Sequence, residues 1–200
     1  MVFWAGAVGA ALFVLVFLVD GWRRPNYSPV RHPVSALALG RRGWVQTANF
    51  LVSGSAITAG ALAMVFVGPS ALTGVVLTAF GLGLVASGVF RMDPMLGYPQ
   101  GAPAGIPERH STPHRLHDLA GAVVFLALPL AAAIGAFTLP GTAWKIISGC
   151  AAVALFVGLG RFSRAWEEVS PRLGLIQRAV IILGWGWLAA LFSALALGLS

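Results

Sequence analysis

An all-α bundle of six transmembrane helices, with both termini outside the cell, is the fold the sequence predicts, and three observations carry it. Hydrophobic residues make up 58% of the 200 positions and charged residues 10%, against about 25% charged in an ordinary soluble domain. A soluble fold of this length cannot cover so much apolar surface, so lipid is the solvent. Six apolar stretches of spanning length follow one another with short connections, which leaves a single transmembrane domain over 1–200. The ionisable residues are also sorted by side. Of the 13 Lys and Arg, all except Lys145 fall in the connections after the first, third and fifth stretches or at the helix ends bordering them. All 6 acidic residues and all 4 histidines fall with them. The positive-inside rule makes that side cytoplasmic.

The first span is read over 2–19, with Ala5, Gly6, Gly9 and Ala10 spaced for close helix approach. It carries no charge ahead of its apolar run, and Arg23 and Arg24 follow it, the reverse of a secretory signal. In the next connection, Pro33 to Leu39 predicts a short helix lying at the interface, with Gly40 as its C-terminal cap. From Gly43 to Phe90 no residue is ionisable, and Gly68-Pro69-Ser70 divides this stretch into spans over 44–67 and 71–90. The connection from Arg91 to Thr112 is interrupted by Pro94, Pro99, Pro103 and Pro107, which excludes regular helix or strand. Thr112-Pro113 predicts an N-cap followed by a first-turn proline, so the fourth span is placed over 113–139. Spans over 142–160 and 173–199 complete the bundle.

A formal charge of +7 beside membrane spans is explained by topology and by anionic lipid heads, so no nucleic acid is expected as a partner. Membrane lipids are. Cys150 is the only cysteine, which excludes an intrachain disulfide and a thiolate zinc site.

Helical spacing from Pro113 sets His114, His117, Asp118 and Gly121 on one stripe at the ionisable face. Gln46, Asn49 and Ser53 form a similar stripe on the second span, while His110, His32, Ser35, Arg91 and Asp93 reach the same face from connections. Four readings suit these residues. In the first, His114, His117, His32 and His110 with Asp93 or Asp118 ligate zinc or another divalent metal. A haem held between histidines is a less favoured second reading. In the third, Ser35 is a nucleophile, oriented with a histidine by Asp93 or Asp118, although no Gly-x-Ser-x-Gly elbow surrounds it. Arg91 and Arg115, with Gln46 and Asn49, would then bind a substrate head group. The fourth makes all of them interfacial anchors and interhelical hydrogen-bond partners.

The segments His32-Pro33-Val34-Ser35-Ala36-Leu37, Arg91-Met92-Asp93-Pro94 and His114-Arg115-Leu116-His117-Asp118-Leu119-Ala120-Gly121 carry a resemblance. The chain resembles the prokaryotic six-span family known as domain of unknown function 998 over nearly its whole length. That resemblance implies a multi-pass protein of the prokaryotic cytoplasmic membrane, with polar motifs at one face and no settled biochemistry. A looser similarity is to the membrane hydrolases that include alkaline ceramidases and the progestin and adipoQ receptors. There a serine, an aspartate and histidines surround zinc, and Ser35, Asp93, His114 and His117 are the same residue types. The chain has one span fewer than they have. Six-span phosphatidic-acid phosphatases share its span number, but their Pro-Ser-Gly-His block is absent here. The expected function is an interfacial site for a lipid head group or divalent metal, with hydrolysis as one outcome. The alternative is a non-catalytic scaffold or partner-binding protein.

Overall fold

In a computed structural model, which describes residues 1–199, the chain forms helices α1 (Val2–Arg23), α2 (Gly43–Val67), α3 (Ala71–Val89), α4 (Thr112–Thr138), α5 (Thr142–Glu167) and α6 (Leu173–Leu197). All six are long and apolar enough to cross a membrane, and no strand is formed among the described residues. Each helix packs on the next in chain order, and α6 returns to α1, closing a ring. Aromatic side chains fill its middle. Phe13 lies 5.2 Å from Trp185 and 5.4 Å from Phe50 between ring centroids, and Phe80 lies 4.9 Å from Trp185.

Small residues set the close approaches. A Cβ on Gly54 would stand 2.9 Å from the Val85 backbone nitrogen, and one on Gly74 2.8 Å from that of Val65, so α2 and α3 meet backbone to backbone. At the far end of this hairpin Ser70 caps α3 by accepting from the Thr73 N–H at 3.3 Å.

Helix α4 is capped by Ser111, whose hydroxyl accepts the His114 N–H at 3.2 Å. Thr112 and Pro113 therefore occupy its first turn, one place later than the sequence reading had them. Helix α5 continues through Arg161 and Arg164 to Glu167, because a helix leaving the bilayer keeps its backbone bonds where charged side chains meet water. The short helix after α1 also differs from its expectation. It is a 3-10 helix over Val34–Ala38 with Leu37 fully buried, tucked among α1, α2 and α6 instead of lying on the surface. Four of its five residues are apolar and buried, and Ser35 alone is left partly exposed.

Two buried guanidinium groups hold this inward fold. Arg178, in the second turn of α6 and 5% exposed, donates to Pro29 O at 2.6 Å and to His32 O and Gly174 O at 2.9 Å. It also donates to the Tyr27 hydroxyl, which passes its own proton to Pro33 O at 3.0 Å. Burial pushes the Tyr27 pKa up to about 12 despite the opposing charge of Arg178, so the hydroxyl stays a donor. Arg24 pairs with Asp20 and donates to Leu39 O at 3.1 Å, Arg42 O at 3.0 Å and the Tyr98 hydroxyl at 3.3 Å. The first connection is thereby tied to α6, to α2 and to the 91–111 connection. Gly174 makes room for it: a Cβ there would strike His32 O and Pro29 O.

Removing the Arg178 head should leave buried carbonyls and a phenol unpaired. We expect Arg178→Met to destabilise the detergent-solubilised protein by about 3 kcal/mol, while Arg91→Met, at an exposed site, stays within about 0.5 kcal/mol. Thermal unfolding followed by circular dichroism measures both. His32 supplies a pH test. Burial lowers its pKa, helped by Arg31 and Arg178, against the raising effect of its bond to Leu96 O. A histidine whose folded pKa is lowered favours folding above its unfolded value near 6.5, and this contribution is lost as pH falls below it. His32→Gln should flatten the decline in melting temperature between about pH 7 and pH 5.

Candidate functional site

The polar face divides into a histidine cluster, in which His110 Nδ1 and His114 Nε2 are buried without a hydrogen-bond partner among the described residues, and a cavity, and one helix serves both. Because Ser111 starts α4, His114 falls on its first turn and faces the 91–111 connection. The Asp93 N–H donates to His114 Nδ1 at 2.8 Å, and the Asp93 carboxylate accepts the Ser111 N–H at 2.8 Å and the Ser111 hydroxyl at 2.6 Å. Burial alone would raise the Asp93 pKa, but these two bonds from Ser111 hold it below the ordinary carboxylate range. His110 stacks on His114, with ring centroids 4.2 Å apart and planes 17° apart. Ligand atoms of Asp93, His110 and His114 all lie within 4.8 Å of one another, close enough to suggest a metal centre.

In this arrangement His114 itself presents no free lone pair, while His110 Nδ1 is buried without a hydrogen-bond partner among the described residues. A metal-bound imidazole carries its proton on the other nitrogen and donates it. His114 Nδ1 instead accepts the Asp93 N–H, so neutral His114 holds its proton on Nε2, which lies 3.1 Å from Asp118 Oδ2 without making a hydrogen bond. Each Asp93 oxygen accepts one hydrogen bond from Ser111, which fixes the carboxylate and leaves a lone pair on each oxygen. His32 is committed as well. Its Nδ1 accepts the Ser28 N–H at 2.9 Å, its Nε2 donates to Leu96 O at 3.1 Å, and Tyr27 and Tyr98 flank the ring. It pins two connections together and stands outside the group of Asp93, His110 and His114.

His117, one turn into the membrane from His114, belongs to the cavity. This half-open space of ≈ 530 Å³ is lined by residues of all six helices, mainly α4, α5 and α6. Its rim holds Ser35, His117, Asp118, Ser163, Trp166 and Gln177, and its deeper wall holds Phe13, Phe50, Phe125, Ile181 and Trp185. At ~1.5 Å per residue along a helix, the step from Gln177 to Trp185 on α6 makes it roughly 12 Å deep along the membrane normal. Apolar walls below a polar rim are what an amphiphile requires.

The other residues singled out in the sequence are distributed as follows. Gln46, Asn49 and Ser53 form a buried chain on α2: Ser53 Oγ donates to Asn49 Oδ1 at 3.3 Å, and Asn49 Nδ2 donates to Gln46 Oε1 at 3.3 Å and to Phe13 O at 3.0 Å. They join α2 to α1 and do not line the cavity. Ser35 Oγ donates to Met92 Sδ at 3.2 Å, and no histidine bonds it among the described residues. Arg91 and Arg115 are exposed and lie outside the cavity lining. Asp118 is half exposed and lines the cavity at its rim. Phe125, Phe162, Trp166, Gln177 and Trp185 were missed by sequence reasoning because an apolar or amide residue inside a span reads as packing. The one available signal was Gln177-Arg178, a polar pair inside an otherwise apolar run.

No curated protein and no solved structure matches the chain. A family model does, over residues 7–194, and the chain belongs to that family, described as Protein of unknown function (DUF998).

The hydrogen-bond assignment predicts that purified protein carries no stoichiometric divalent ion, and that zinc leaves its melting temperature unchanged. Elemental analysis and thermal unfolding check this. A bound ion lost in His110→Ala and His114→Ala would contradict it.

Proposed function

We propose that this DUF998 chain is an amphiphile-binding membrane protein, whose ligand lays its apolar part in the cavity among α4, α5 and α6 and its polar head at the rim. The observation that carries this reading is the ≈ 530 Å³ space with aromatic walls and a rim of Ser35, His117, Asp118, Ser163 and Gln177. Its size falls in the range of small-molecule sites, roughly 300–1,000 Å³. Binding is favoured over hydrolysis because the Ser35 hydroxyl is spent on Met92 and is not joined to a histidine or carboxylate. The Asp93–His110–His114 cluster closes the 91–111 connection onto α4. We further propose that the ionisable face is cytoplasmic, supported by the placement of every Lys and Arg but Lys145.

Gly121 lines the cavity, and a Cβ placed there meets nothing within 4 Å. Gly121→Trp should therefore start from open space and project its ring into the cavity. Mass spectrometry of lipids that co-purify in detergent should find a single-chain amphiphile with the parent protein and lose it in this variant at unchanged melting temperature. Equal lipid content in both proteins would refute the cavity as the site. For topology, cysteines introduced at Gly101 and Gly141 of a Cys150→Ala protein should label from opposite sides, Gly101 from the cytoplasm.

A further inference from the structure

The groups around the rim specify what kind of head the cavity accepts. None of its lining residues is Lys or Arg, and its one carboxylate, Asp118, stands at the rim. An anionic head drawn in would face that carboxylate with no cation among the lining residues to offset the loss of water. The exposed Arg91 and Arg115 point to the surface outside this space.

His117 supplies the complementary preference. Its Nδ1 lies 2.8 Å from Phe90 O and 3.1 Å from Ser87 O, and carbonyl oxygens only accept. The proton of the neutral ring is therefore on Nδ1, and Nε2 presents a lone pair. Nε2 makes no hydrogen bond among the described residues. Gln177 commits its Oε1 to the Val34 N–H at 2.7 Å, which leaves its amide NH2 as a donor at the same rim. A free acceptor and a free donor together complement a hydroxyl, which gives one proton and takes another. Deeper down, the Trp185 indole N–H is buried and has no acceptor among the described residues. That nitrogen has no surface accessible from the cavity, so it takes no part in selecting the ligand.

We infer that the cavity selects an uncharged, hydroxyl-bearing amphiphile, with His117 Nε2 accepting the hydroxyl proton. This rests on the cavity reading given above and names the class of its ligand. The hydroxyl can belong to a glyceride or to a long-chain or prenyl alcohol, and the probes separate these sources.

The test measures binding to detergent-solubilised protein by competition against a fluorescent long-chain alcohol. Monopalmitoylglycerol, hexadecanol, geranylgeraniol, hexadecyl methyl ether and palmitoyl lysophosphatidate are the competitors. At least one of the three alcohols should bind about tenfold or more tightly than lysophosphatidate. Binding of the glyceride alone, or of the alcohols alone, identifies the source. His117→Asn keeps an N–H for the Phe90 carbonyl and removes the Nε2 acceptor. It should weaken the preferred alcohol by about tenfold and leave the methyl ether, which has no proton to give, unchanged. Lysophosphatidate binding as tightly as the alcohols would overturn the head-group assignment while leaving the cavity reading in place. So would a His117→Asn protein that melts normally and binds alcohol as before. If the fluorescent probe itself binds equally to the parent and to Gly121→Trp, the cavity reading falls, and this inference with it.

Discussion

A guanidinium buried in a membrane bundle needs protein acceptors in place of water, and Arg178 gathers four of them by holding the first connection inward. Its donors reach Pro29, His32, Gly174 and Tyr27. Water is scarce at this depth, so releasing any of these partners exposes the charge to apolar surroundings. Val34–Ala38 is thereby held among α1, α2 and α6, which sets Val34 and Ser35 at the cavity rim. Arg24 does the same for the 91–111 connection through the Tyr98 hydroxyl, and Met92 joins the lining. The cavity is roofed by two connections that two arginines tie down.

The histidines divide by what their backbone neighbours can do. His32 and His114 each accept a backbone N–H on Nδ1, which puts their protons on Nε2, toward Leu96 O and Asp118. His117 faces carbonyls and takes the opposite tautomer. Residue type alone made all of them metal-ligand candidates. The partners make pins of His32 and His114 and, among the described residues, leave a nitrogen unpaired on each of the other two rings: His110 Nδ1, buried in the cluster, and Nε2 of His117, a cavity-lining residue.

The six helices were legible in the sequence because hydrophobic length and the one-sided placement of charge are properties of the chain itself. The end of α5 was less legible, since Arg161 and Arg164 read as loop although the helix continues as it enters water. The N-cap was misplaced by one residue because Ser111 and Thr112 are both good caps. Only the reach of Ser111 to the His114 N–H separates them. That polar groups gather at one face was also legible. Which of them are spent was not, because Phe90 O, Ser87 O and the Asp93 N–H come from elements remote in sequence from His114 and His117. The cavity left no pattern, since Phe125, Phe162 and Trp185 look like core until their neighbours leave a gap.

The most direct test of the account is an experimental structure of the protein in lipid nanodiscs, at a resolution that shows bound lipid. It should show an elongated ligand between α4, α5 and α6, with a polar atom within about 3.2 Å of His117 Nε2 and no metal bridging Asp93, His110 and His114. A cavity closed by its own side chains, or a head group held instead at Arg91 and Arg115, would contradict it.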